Sequence, residues 1–179
     1  MEGAFTLFLL FLLIFLFIFM KKRGSRLAKK LGAKIHTVAM HLHGVPGMEQ
    51  KEIVKLFFTD DKMIVKSKKK TVELNYEKLT AIKAVKETDL LQQDKSVIGR
   101  GIVGGLLLGP AGAIVAGMSA IGGKKNVRGE LLIINYKPNE NAESQVIIFN
   151  LEKLSSPKKI EKFVLKKRPD IIESDYVSL

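Results

Sequence analysis

The 179-residue chain carries 30 Lys and Arg against 18 Asp and Glu, a formal net charge of +12, and 46% of it is hydrophobic. That length suits one ordinary domain with appendages, and the charge favours anionic partners: nucleic acid, acidic proteins or the anionic face of a membrane. The absence of cysteine excludes a disulfide framework and a thiolate metal site, and the lack of tryptophan argues against a base-stacking surface.

In chain order, Gly3 to Met20 is an uncharged run built almost wholly from Leu, Phe and Ile. As a helix its 18 residues span about 27 Å, close to the thickness of a bilayer core. A cleaved signal peptide would need a positive n-region and a small-residue cleavage site. Here Glu2 is the only early charge and the run ends directly in Lys21, Lys22 and Arg23. Residues 1–20 therefore read as an uncleaved transmembrane anchor. With Arg26, Lys29 and Lys30 also following it, the positive-inside rule sets the N-terminus outside the plasma membrane and the rest in the cytoplasm. Residues 21–34 form a basic juxtamembrane segment, a topology signal that also attracts anionic head groups by about 1 kcal/mol per basic residue.

From Ile35 the apolar residues recur at period two. Strands are predicted at Lys34 to Leu42, Glu52 to Thr59, Lys62 to Lys66, Thr71 to Asn75 and Leu79 to Lys86, then at Glu130 to Tyr136 and Gln145 to Asn150. Gly44-Val45-Pro46-Gly47, Asp60-Asp61, Ser67 to Lys70 and Pro138 to Ala142 supply the turns. Ser156 as N-cap and Pro157 at the first helical position open a helix with the stripe Ile160, Phe163, Val164, which Pro169 ends. Residues 169–179 are a tail.

Between strands five and six lies Ile98 to Gly123, apolar and rich in glycine and alanine. Gly101, Gly105, Gly109, Ala113 and Gly117 recur every four residues, and Gly112, Ala116 and Ala120 form a weaker second row. On a helix such glycine-zipper spacing lets backbones pack closely, in lipid or between copies of a chain. Each glycine in a soluble helix costs about 1 kcal/mol relative to alanine, so a compensating contact is expected.

Seven strands and a closing helix resemble a pleckstrin-homology-like, GRAM-type domain. The resemblance extends to a group of bacterial and phage proteins with such a domain, carried by His41-Leu42-His43-Gly44-Val45-Pro46, Asp60-Asp61-Lys62, Leu74-Asn75-Tyr76-Glu77-Lys78-Leu79-Thr80 and Gly109-Pro110-Ala111-Gly112-Ala113-Ile114. It implies an α+β fold over residues 35–168: a seven-stranded antiparallel open barrel or sandwich with a C-terminal helix and the Gly-rich segment 98–123 inserted. It also implies membrane or lipid association, and no activity. Strands on both sides of the insertion must share one compartment if they share a sheet. A single crossing by 98–123 is thereby excluded, leaving a helical hairpin with Pro110 near its tip. That hairpin either dips into the bilayer or packs against its own domain or a second copy.

Chemical sites are thin. His41 and His43 lack a third metal ligand at a suitable spacing, Asp60-Asp61 reads as turn chemistry, and Gly99-Arg100-Gly101 lacks the GKS/T ending of a phosphate loop. No catalytic residue, metal or cofactor is assigned. Lys21, Lys22, Arg23, Lys68, Lys69 and Lys70 are the candidate lipid-phosphate contacts, and Gly101, Gly105, Gly109, Ala113 and Gly117 the candidate helix-packing positions. The expected function is a membrane-anchored, cytoplasmic-facing binding or scaffold module that associates with anionic inner-leaflet lipid, self-associates through the hairpin, or both. The alternative is a pore-forming or toxin-like membrane-perturbing factor; an enzyme or a nucleic-acid binder is disfavoured.

Overall fold

The computed structural model describes residues 11, 26–86, 102–103, 106–107, 130–151 and 156–171. Strands β1 (Ile35–His43), β2 (Ile53–Phe58), β3 (Lys62–Lys66), β4 (Thr71–Asn75) and β5 (Leu79–Lys86) precede the insertion. After it come β8 (Glu130–Tyr136), β9 (Gln145–Leu151) and helix α1 (Pro157–Lys167). Within the insertion, β6 (Ile102–Val103) and β7 (Leu106–Leu107) form a separate two-stranded ladder.

All seven long strands join one antiparallel sheet in the order β4-β3-β2-β1-β9-β8-β5. Strands β4 and β5 are its two edges, yet only the 3₁₀ turn Tyr76–Lys78 connects them. Six strand spacings laid flat measure about 29 Å, whereas a link this short reaches only about 14 Å. The sheet must therefore curl until its edges approach. Strand β1 is the hinge of that curl: its first part pairs with β2, its last part with β9, and the register shifts between His41 and His43.

Alternation sorts the side chains. Val54, Leu56, Phe58, Leu132, Ile134 and Phe149 face inward, at 0–1% exposure. The amphipathic helix α1 closes this core with Ile160 and Val164, both fully buried, and packs against β5 and β8. Its Glu161 accepts a hydrogen bond at 3.0 Å from Ala84 N–H on the edge strand β5, satisfying a donor that an open edge would leave bare. Ser156 occupies the N-cap position, but its side chain makes no capping hydrogen bond; the first turn is held by Lys159 N–H on Ser156 C=O at 2.9 Å.

On the outer side of β2 and β3, Phe57 and Ile64 are covered by Leu27, Ala28, Leu31 and Ala33, from the helical turn beginning at Arg26 and the residues just after it. The described part of the basic juxtamembrane segment is thus packed onto the domain, with Arg26, Lys29 and Lys30 left facing solvent.

The anchor predicted at 1–20 lies outside the described residues except for Phe11, which is helical and exposed, and among the described residues no helix is long and apolar enough to cross a membrane. The helical hairpin predicted over 98–123 is not what its described residues adopt: Ile102 pairs with Leu107 and Val103 with Leu106, antiparallel. The dipeptide between them in sequence is Gly104-Gly105, a composition favoured at two-residue hairpin connections, and β-branched Ile102 and Val103 suit an extended backbone. A small-residue row at every fourth position requires a helix, and the strands interrupt it between Gly101 and Gly109. Those two glycines, with Gly105, Ala113 and Gly117, lie outside the described residues.

Candidate functional site: a lysine-rich end of the barrel

Antiparallel hairpins β1–β2 and β3–β4 share one sheet, so the loops 44–52 and 67–70 emerge at the same end of it. The sequence dictates both shapes. Ser67 N–H donates to Lys70 C=O at 2.8 Å, while Ser67 Oγ accepts from the backbone N–H groups of Lys69 (3.2 Å) and Lys70 (3.0 Å). This serine-centred turn raises Lys68 and Lys69 into solvent at the tip. Lys70 turns back instead, its Nζ donating to Pro46 C=O at 2.9 Å and tying the two loops together. Gly47, at φ 70°, makes room for it: a Cβ there would stand 2.4 Å from Lys70 Nζ.

The longer loop is pinned from inside by His41. The ring is 2% exposed and lies beside Phe149, centroids 6.1 Å apart. Its Nε2 accepts from Val45 N–H at 3.1 Å, so Nδ1 carries the proton and donates to Glu49 C=O at 2.9 Å. Both nitrogens are therefore committed to shaping the loop. Its neighbour His43 is held below the usual imidazole range, chiefly by burial. Among the described residues no group of His, Asp and Glu is arranged to hold a metal ion.

The charges at this end are unbalanced. Lys55 and Lys66 sit directly opposite one another on β2 and β3, both exposed, a like-charge pairing that costs stability. Lys51 completes the loop at φ 65°, the one non-glycine with positive φ among the described residues. The ion pairs of the described residues lie elsewhere: Lys34 and Lys167 with Asp60 (3.7 and 2.7 Å), Lys62 with Glu73 (2.7 Å) and Arg168 with Asp170 (2.5 Å). Acidic side chains pair with lysines at the β2–β3 turn and the helix end, whereas the opposite end holds Lys51, Lys55, Lys66, Lys68 and Lys69 against Glu49 and Glu52. The net charge of this end is positive.

Of the sequence-predicted contacts, Lys68 and Lys69 are free at the tip, Lys70 is engaged by Pro46, and Lys21, Lys22 and Arg23 lie outside the described residues. Lys51 and Lys55 were not predicted. The signal for Lys55 was legible: in adjacent antiparallel strands joined by the turn at Asp60-Asp61, it is the residue that register brings opposite Lys66. Lys51 had no signal, because its position depends on the His41 pin.

No curated protein matches the chain. A family described as glycine zipper containing PH domain matches residues 47–150, more than half of the chain. The match begins in the lysine-end loop and runs into β9, across the entire insertion. With the curled seven-stranded sheet, the closing helix and the Gly-rich excursion between β5 and β8, the chain belongs to the family of glycine-zipper-containing PH domains.

Proposed function

We propose that the protein is a membrane-anchored binding or scaffold module whose PH-like domain faces the cytoplasm and holds its lysine-rich end near anionic lipid. Binding, not catalysis, is its role. The observation that carries this reading is the excess of lysine at the loop end: Lys51, Lys55, Lys66, Lys68 and Lys69 stand there against Glu49 and Glu52, while Asp60 is paired with Lys34 and Lys167 at the other end. The packing of Leu27, Ala28 and Leu31 on Phe57 and Ile64 supports it further. The junction there keeps Arg26, Lys29 and Lys30 close to the domain, so an anchor at 1–20 would hold these three residues within a Debye length of head groups, about 8–10 Å.

The test uses the full chain reconstituted into vesicles, with Gln50→Cys as the single labelling site in a protein that lacks cysteine. Quenching of its fluorophore by quencher-bearing lipid is expected to rise with the anionic lipid fraction and to fall at high salt. Lys68→Glu with Lys69→Glu should abolish that rise. Quenching insensitive to lipid charge, salt and these substitutions would refute lipid attraction at this end.

A further inference from the structure

The sheet has a second apolar face. Leu131, Ile133 and Ile148 are fully buried on the outer side of β8 and β9, flanked by Leu42, Ala81 and Val146. Alternation sets them opposite the inner core, since Leu132, Ile134 and Phe149 point the other way. This patch is separate from the one that Leu27, Ala28 and Leu31 cover at Phe57 and Ile64: between them, on β1 and β2, Val38 and Ile53 are 42% and 56% exposed. Something covers β5, β8 and β9 and stops short of β2.

Three observations name the cover. First, β7 approaches within 8 Å of both β5 and β8, measured between Cα atoms. A strand added beyond the β5 edge would lie about 10 Å from β8, so β7 lies over a face. The inner face over these strands is taken by α1, which leaves the outer one. Second, the insertion leaves from Lys86 and returns at Glu130, residues paired directly across β5 and β8. Both its ends are therefore tied to the rim of the same patch. Third, Asn150 pairs with Leu131 and with Met40, which puts it on the outer face, and it is 8% exposed. Its Oδ1 is buried and finds no hydrogen-bond partner among the described residues. A buried carboxamide oxygen calls for a donor from whatever lies above it.

From these we infer that the outer face of β5, β8 and β9 is the docking surface of this chain's own Gly-rich segment, residues 98–123, seated by β7 and held in register by a donor to Asn150. The segment suits the place. It has one charged residue, Arg100, and its small residues permit layers closer than the usual spacing of about 10 Å. Tethering at both ends gives it an effective concentration in the millimolar range, which a second copy does not match at ordinary protein levels. The inference rests on reading 98–123 as a packing element; it does not depend on lipid attraction by the lysines.

Disulfide trapping in the full chain tests it, with no native cysteine to interfere. Val85→Cys, half-buried at the margin of the patch, is combined in turn with Ala111→Cys, Ala113→Cys, Ala116→Cys and Ala120→Cys, in detergent and in vesicles. At least one pair should oxidise to a monomer that no longer takes up maleimide, with a yield independent of protein concentration. Far-UV circular dichroism of the single Val85→Cys chain verifies its fold. Crosslinks found only in dimers would assign the face to a second copy and overturn the inference. So would the absence of any crosslink together with rapid labelling of Val85→Cys. Neither result would alter the salt-sensitive quenching that tests the lysine end.

Discussion

Gly44 is the tightest of the described glycines. It sits at φ 91° where β1 passes into the lysine-end loop, and a Cβ there would be 1.8 Å from the carbonyl oxygen of Val146. Gly32 also has positive φ, 67°, but nothing lies within 4 Å of its missing Cβ. Gly44→Ala must therefore both strain the backbone and push β1 off β9, whereas Gly32→Ala incurs only the left-handed penalty of about 1–2 kcal/mol. In urea unfolding, Gly44→Ala is expected to cost more than twice as much as Gly32→Ala; equal costs would contradict the close approach. Tyr76 offers a second test at this scale. Its hydroxyl donates to Thr59 C=O at 3.0 Å in a buried setting, and burial, followed by the charges of Asp61 and Asp60, pushes its ionisation far above the ordinary tyrosine value of 10.0. The folded state thus resists losing a proton that the unfolded state gives up near pH 10. Its contribution is complete below that pH and is lost as pH rises beyond it. Tyr76→Phe should lower stability at pH 7 by about 0.5–1.5 kcal/mol, the net value of one hydrogen bond, and flatten the alkaline decline above pH 10 followed by circular dichroism.

Among the elements, α1 separates stripe from cap. Ile160 is fully buried in the core it closes, and truncation to alanine there should cost about 2–5 kcal/mol, by lost transfer and a cavity. Ser156 has the residue type of a cap without the side-chain bond, so Ser156→Ala should fall below the roughly 1 kcal/mol typical of a working N-cap. Denaturant midpoints of the two variants check both statements. The strands were the most legible elements: β3, β4 and β5 run over the residues their alternation predicts, and β8 likewise. The Gly-rich segment was the least legible. Small residues at i and i+4 fit a helical row, but Ile102-Val103-Gly104-Gly105-Leu106-Leu107 equally spells two short strands around a glycine pair, and local composition does not choose between periods.

At the scale of the molecule, one corner binds three distant segments. Asp60, in the β2–β3 turn, meets Lys34 ahead of β1 and Lys167 at the end of α1, while Arg168 Nη1 donates to Tyr76 C=O at the β4–β5 link. The hydrogen bond from Lys167 is the main reason the Asp60 carboxyl is held below the ordinary aspartate value of 3.8; its charge and that of Lys34 add to it. An aspartate with a depressed folded value stabilises above its unfolded value and loses that contribution as pH falls through the folded one. Asp60→Asn should therefore flatten the acid limb below pH 4 and leave the alkaline limb as it was. An unchanged acid limb would mean that the exposed pairs contribute nothing. The candidate site divides in the same way between near and far contacts. Lys68, Lys69 and Lys70 were visible as a basic turn, yet that Lys70 bends to Pro46 and that Lys55 meets Lys66 are facts of loop packing and register.

Alternation, turn residues and charge excess, all read within a window of a few residues, determine the strands, the closing helix and the basic character of this protein. Only the tertiary structure decides that the sheet curls on a three-residue link, that it carries a second buried apolar face, and that Ile102–Val103 pairs with Leu106–Leu107 as strands. Those outcomes depend on contacts between residues far apart in sequence, such as Lys86 with Glu130 and Leu131 with Asn150. Side-chain period reports which residues share a face; what comes to lie against that face is set by chain closure.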